Sequence, residues 1–252
     1  PINATVTITG HADTKDYDGE AHSVSGYDVM TSTNLYKEAD FTFTPAEDAV
    51  LVDGVIAAKR TDTGKTDMGL AAEQFTNTNK NFAKVTFNVT DGYQKIDPID
   101  VTVTIVGNNN TTDYDGEEHT VTGYTATAST DLYDVTKDFT FSGTAEASRT
   151  DAGTTNMGLA ADQFENTNEN FATVTFEVTD GYQTIDPIDV EVTIVGAYNT
   201  TVYDGQAHTV TGYTASASTT LYDVEGEDKY FTFTGEATAT RTEEGKTDMG
   251  LA

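Results

Sequence analysis

The chain has no cysteine and no tryptophan, only four prolines, and 13 lysines and arginines among 252 residues. Without thiols there is no disulfide framework and no thiolate metal site, a usage that fits exported surface proteins. No apolar run approaches the ~20 residues of a membrane-crossing helix and no signal-peptide core is present, so direct membrane insertion is not expected. The few cations face 42 acidic residues, giving a net charge of −29. Such a chain repels the phosphate backbone and any anionic membrane surface, which excludes nucleic acid as an expected partner.

What is present is repetition. Pro1-Ile2-Asn3-Ala4-Thr5-Val6-Thr7-Ile8 recurs as Pro98-Ile99-Asp100-Val101-Thr102-Val103-Thr104-Ile105 and as Pro187-Ile188-Asp189-Val190-Glu191-Val192-Thr193-Ile194. Each opening is followed by Tyr-Asp-Gly, at Tyr17-Asp18-Gly19, Tyr114-Asp115-Gly116 and Tyr203-Asp204-Gly205, at intervals of 97 and 89 residues. That period is domain-sized. The expected domains are residues 1–97, 98–186 and 187–252, with function arising from reach and repetition.

Within a copy, Thr5-Val6-Thr7-Ile8-Thr9 and Val85-Thr86-Phe87-Asn88-Val89 alternate polar and apolar residues, the signature of strands with one buried face. With 13 Tyr and 12 Phe the chain has apolar material for a core. The expected fold class is all-β, a series of small β domains of sandwich or β-grasp type strung as an elongated rod. Six or seven strands per copy are predicted, with the Tyr-Asp-Gly, Asp91-Gly92 and Asp180-Gly181 segments as hairpin links. Residues 69–75 offer one helical turn, and Asn77, Asn79 and Asn81 offer side chains that cap backbone amides.

Two departures break the repetition. Copy one carries a nine-residue insertion near 46–58, in which Val50-Leu51-Val52 and Val55-Ile56 flank Asp53-Gly54, a two-residue hairpin signal. Its arms are apolar on both faces, so Val50, Leu51, Val52, Asp53, Gly54, Val55 and Ile56 are either covered by a neighbouring domain or form a sticky tip that binds a partner. Copy three ends at Met249-Gly250-Leu251-Ala252 without a counterpart of residues 161–186. It is expected to be completed by further chain or by strand exchange with a neighbouring chain, and the start at Pro1 suggests an excerpt of a larger protein.

The segments Tyr-Asp-Gly-x-x-His, Asp/Glu-x-Gly-x-Thr-x-Met-Gly-Leu, Phe-x-Asn-Thr-Asn-x-Asn-Phe and Val-Thr-Asp-Gly-Tyr-Gln-x-Ile-x-Pro resemble the YDG-type repeats of bacterial cell-surface proteins, relatives of the MBG repeats. The resemblance implies a stalk or adhesin segment outside the cell, secreted or wall-attached, whose partners are other domains of the same surface protein. It brings no catalytic residues.

His22, His119 and His208 recur once per copy, five residues after the Tyr of Tyr-Asp-Gly. With no second histidine and no cysteine nearby, the pattern reads as a strand-start histidine hydrogen-bonded across its turn. Arg60, Arg149 and Arg241 are the only arginines, again one per copy. A guanidinium matches a carboxylate through two parallel hydrogen bonds, so each is predicted to pair with Asp18, Asp115 or Asp204 of its own copy. Carboxylates at both joints, Asp97 with Asp100 and Asp186 with Asp189, make calcium a possible cofactor. No hydrolase, zinc-protease, phosphate-loop or dinucleotide signature is present, and no enzyme activity is expected. The functional expectation is a stalk that projects a distal domain; the alternative is an adhesin whose repeated loops bind host glycan or protein.

Overall fold

The computed structural model describes residues 2–227 and 229–251. Regular structure among them is β apart from three short 3-10 turns, Glu38–Asp40, Ala72–Gln74 and Ala161–Gln163. The all-β expectation is met. Among the described residues no helix is long and apolar enough to cross a membrane.

The chain forms two compact units. The first comprises Pro1–Gly107, Tyr124–Ala145 and Gly158–Asp180; the second comprises Asn108–Gly123, Glu146–Met157 and Gly181–Ala252. These limits do not follow the sequence copies. The first unit holds copy one with part of copy two, and the second holds the rest of copy two with copy three.

In the first unit the opening strand Ile2–Gly10 lies between Phe82–Thr90, parallel to it, and Tyr27–Thr31, antiparallel. Its period of two puts Ala4, Val6 and Ile8 into the core, each fully buried Val or Ile contributing about 1.5–3 kcal/mol. Phe41–Phe43 pairs with Phe75–Asn77, and the rings of Phe41, Phe43, Phe75 and Phe87 meet at 5.0–5.8 Å. A further sheet has Tyr93–Asp97 at its centre, between Ala12–Asp16 and Gly64–Asp67. His22–Ser25 pairs with Val55–Arg60, whose Ile56 and Ala58 join the same core cluster as Ile8 and Phe75. The part of copy two in this unit repeats the first arrangement, with Ile99–Gly107 between Tyr124–Ala128 and Phe171–Thr179.

The second unit repeats the other arrangement. Tyr182–Asp186 lies between Asn109–Asp113 and Gly153–Asn156, and His119–Thr122 pairs with Glu146–Arg149. Copy three contributes four strands among the described residues, Val192–Gly196 paired with Tyr213–Ala217 and His208–Thr211 paired with Thr238–Arg241.

Copies one and two hold more strands than the six or seven expected, eleven and ten. The excess arises because alternating stretches change partner midway: Ile2–Gly10 and Ala12–Asp16 belong to different sheets. For the same reason Tyr17–Ala21 is not a hairpin link. The strands it joins, Ala12–Asp16 and His22–Ser25, pair with Tyr93–Asp97 and Val55–Arg60 instead of with each other. Asp91-Gly92 is likewise a crossing between sheets. The glycine is required there by proximity, since a Cβ at Gly92 would lie 2.8 Å from the Met68 sulfur and would collide with the His11 carbonyl. The Asp91 carboxylate accepts hydrogen bonds from the Gly69 and Leu70 amides, at 3.0 and 2.9 Å. The helical-turn and asparagine-cap expectations are met, with Asn77 Oδ1 accepting from Asn79 N at 3.0 Å and Asn79 Oδ1 from Asn81 N at 3.0 Å.

Candidate functional site

The residues that recur in every copy converge. Antiparallel pairing sets His22 directly opposite Arg60, His119 opposite Arg149 and His208 opposite Arg241. Each histidine begins its strand and places Nε2 at 2.9–3.1 Å from the carboxylate four residues before it, Asp18, Asp115 or Asp204. The same carboxylates accept the amides of Glu20, Glu117 and Gln206 at 2.9 Å. The amide bond first, and the histidine second, hold Asp18, Asp115 and Asp204 below the ordinary carboxylate range. Gly19, Gly116 and Gly205 take positive φ values of 77°, 82° and 76°, closing the turn.

The arginines do not bind these aspartates. With the carboxylate already held by the histidine, each guanidinium turns to its own following loop. Arg149 donates to the Ala152 carbonyl at 2.7 Å and to Thr155 Oγ1 at 3.3 Å. Arg60 reaches the Thr63 and Lys65 carbonyls and Thr66 Oγ1, and Arg241 the Glu243, Glu244 and Lys246 carbonyls with Thr247 Oγ1. The predicted carboxylate pairing is therefore replaced by a backbone clamp, for which five donors on a rigid fork are equally suited.

The tyrosine of the motif faces outward, toward the following copy. Tyr17 packs with the core cluster of Val103, Ile105, Tyr133 and Phe171, and meets Phe171 edge-on at 5.8 Å. A Cβ at Gly19 would lie 3.1 Å from Leu132. Polar contacts complete this joint inside the first unit. Asn170 Oδ1 accepts from Thr63 N at 2.8 Å, Asn170 Nδ2 donates to Asp62 at 3.2 Å, and Thr63 Oγ1 donates to the Glu169 carbonyl at 3.0 Å. The second unit reuses the arrangement, with Leu221 packed 3.2 Å from a Cβ position on Gly116. In copy three Tyr203 is 57% exposed. The local sequence marks Tyr17-Asp18-Gly19 as a turn, whereas the partner of the Tyr17 ring, Phe171, lies more than 150 residues along the chain and leaves no local signal.

Of the four joint carboxylates, those of Asp97 and Asp100 are engaged. Asp97 pairs with Lys95 Nζ at 2.6 Å, and Asp100 Oδ1 accepts from Thr173 N at 3.0 Å. Asp186 gives its main-chain carbonyl to Tyr114 N at 2.8 Å, and Asp189 is exposed. No three acidic or histidine side chains converge on one point among the described residues.

The inserted hairpin forms as predicted, with Leu51 opposite Ile56, Val52 opposite Val55, and Asp53 and Gly54 at φ 51° and 78°. Ile56 is buried, while Val50, Leu51 and Val55 are 44%, 48% and 44% exposed.

Comparison with known proteins finds no match to any protein-family model, to any curated protein or to any solved structure.

Proposed function

We propose that this chain is a load-bearing spacer, the stalk or repeat region of a secreted or wall-attached bacterial surface protein that holds a distal domain away from the cell. The observation that carries this reading is the way each copy joins its two ends. The opening strand Ile2–Gly10 is parallel to Phe82–Thr90, and Ala12–Asp16 is parallel to the last strand, Tyr93–Asp97. Tension applied between the ends of such a copy acts along both ladders in shear, so the inter-strand hydrogen bonds load together instead of opening one at a time. Copy two repeats both parallel ladders, Ile99–Gly107 with Phe171–Thr179 and Asn109–Asp113 with Tyr182–Asp186. The Tyr17 and Asn170 contacts supply a joint that limits bending, and the YDG-type resemblance and the absence of cysteine agree with an extracellular setting. Single-molecule pulling tests the reading: copies one and two should each unfold in a discrete event at high force, and unfolding at forces typical of strands peeled singly would overturn it.

The exposed hairpin residues Val50, Leu51 and Val55 favour a second reading, an adhesin that engages a host protein or glycan through this tip. Binding of copy one, lost on Leu51→Ser with the fold intact, would support the adhesin.

A further inference from the structure

The chain contains no Asn-Gly pair and six Asp-Gly pairs, which begin at Asp18, Asp53, Asp91, Asp115, Asp180 and Asp204. An aspartate before glycine is open to attack by the glycine nitrogen on its side-chain carboxyl group, because glycine places no Cβ beside that nitrogen. Five of the six carboxylates are held. Asp18, Asp115 and Asp204 accept the amides of Glu20, Glu117 and Gln206 at 2.9 Å and meet the histidine four residues on at 2.9–3.1 Å. Asp91 accepts from Gly69 N and Leu70 N at 3.0 and 2.9 Å, and Asp180 from Gly158 N and Leu159 N at 3.0 and 2.9 Å. Each of these groups has two contacts to break before its carbon can turn toward the following nitrogen.

Asp53 is the exception. It is exposed, and among the described residues its carboxylate has no hydrogen-bond or ion-pair partner. It is also the one non-glycine residue among them with a positive φ, 51°, a conformation that is strained for L residues. The ladder beneath it is two pairs long, Leu51 with Ile56 and Val52 with Val55. A ladder so short and exposed opens locally at little cost. A Cβ on Gly54 would meet nothing within 4 Å, so the turn has room to rotate.

We infer that Asp53-Gly54 is a self-modification site, where the chain converts to an isoaspartyl linkage while the other five Asp-Gly turns are preserved. The Gly54 nitrogen bonds to Asp53 Cγ; the protonated carboxyl group gives up its hydroxyl, which leaves as water with the amide proton, and a five-membered succinimide closes. Water then adds to the ring. Opening at the Asp53 main-chain carbonyl leaves the chain running through Cβ and Cγ, with the former main-chain carbonyl as a free carboxylate, whereas opening at Cγ restores aspartate. The chain stays intact and water is the sole co-reactant. The new linkage adds one methylene to a two-residue turn. Because loop length sets the register of such a hairpin, Val52 and Val55 lose their pairing and the apolar tip opens. The tip therefore has a shorter chemical lifetime than the rest of the fold, whether or not it binds a partner.

The test incubates the 252-residue chain in mildly acidic buffer at body temperature, folded and in concentrated urea. Isoaspartate is read by methyl transfer from S-adenosylmethionine with an isoaspartyl methyltransferase and placed by electron-transfer fragmentation of peptides. In the folded chain residue 53 should convert at least about tenfold faster than any other Asp-Gly, since each held carboxylate must first give up bonds to a charged group. In urea the six should react at similar rates. Asp53→Ser, which has no carboxyl group to cyclise, should abolish the fast phase. Equal rates at all six sites in the folded chain, a faster site elsewhere, or the same preference for residue 53 in urea would each overturn the inference and leave the pulling behaviour of copies one and two untouched.

Discussion

The guanidinium of Arg149 lies across Gly153, so close that a Cβ on the glycine would stand 2.8 Å from Arg149 Cζ. Arg60 with Gly64 and Arg241 with Gly245 repeat the relationship, and the three glycines hold φ values of 130°, 119° and 120°. Arginine and glycine are two halves of one clamp: the fork ties down the loop carbonyls, and only a residue without a side chain leaves it room.

Gly153→Ala should therefore cost about 1–3 kcal/mol, through a backbone angle that L residues rarely adopt and through displacement of the guanidinium. Arg149→Lys should cost about 1 kcal/mol, since an ammonium cannot reach Ala152 and Thr155 together. Urea denaturation of each variant measures both, and wild-type midpoints would remove the clamp from the account.

A difference between copies identifies a repair. Gln183 is fully buried with Asn110 as partner to its Oε1, whereas Gln94, equally buried, has no partner for Oε1. The residue facing Gln94 in register is Asp13, and a carboxylate cannot donate. Asp13→Asn should stabilise copy one by about 1 kcal/mol, read as a raised denaturation midpoint; a neutral or lowered midpoint would contradict the assignment.

The joint should be separable from the copies it connects. Asn170→Ala removes the bonds to Thr63 and Asp62, and Tyr17→Ala removes the ring against Phe171. With no native cysteine, donor and acceptor dyes on Glu47→Cys and Asp162→Cys report the distance between copies one and two. The double substitution should broaden a narrow transfer distribution with little loss of secondary structure. A distribution already broad in the parent would show that the joint does not restrain the copies.

Acid should weaken the fold through the motif aspartates. Their folded pKa values lie below the ordinary 3.8, so their stabilisation is complete above that value and is lost as pH falls through the depressed one. His11 works in the opposite direction. The Ser25 carbonyl and Asp28 raise it above 6.5, so its contribution is complete below 6.5 and lost as pH rises through the raised value. Acidification also relieves the repulsion of 29 net negative charges, so the readout is variant against parent. Replacing Asp18, Asp115 and Asp204 by Asn should flatten the melting profile below pH ~4. His11→Asn, the residue that copy two carries as Asn108, should flatten it above pH ~6.5. Parallel profiles for parent and variant would refute the corresponding assignment.

Much of the fold was legible because its signals are local. Alternation in Thr5-Val6-Thr7-Ile8 announces a half-buried strand, and Asp53-Gly54 announces a tight hairpin, since both follow from the geometry of a few adjacent residues. The arginines were legible as special but not in their role. Guanidinium chemistry accepts carboxylate and carbonyl alike, and the choice depends on which acceptor another residue has already taken.

The sequence by itself determined that the chain is all-β, that it is built of copies and that the hairpin departs from them. Only the tertiary structure decided that Ile2–Gly10 pairs in parallel with a strand some eighty residues later, that His22 rather than Arg60 holds Asp18, and that Tyr17 serves the next copy. The reason is one of range. Periodicity records which face of a strand is buried, but the partner that buries it is fixed by long-range closure and by competition for acceptors.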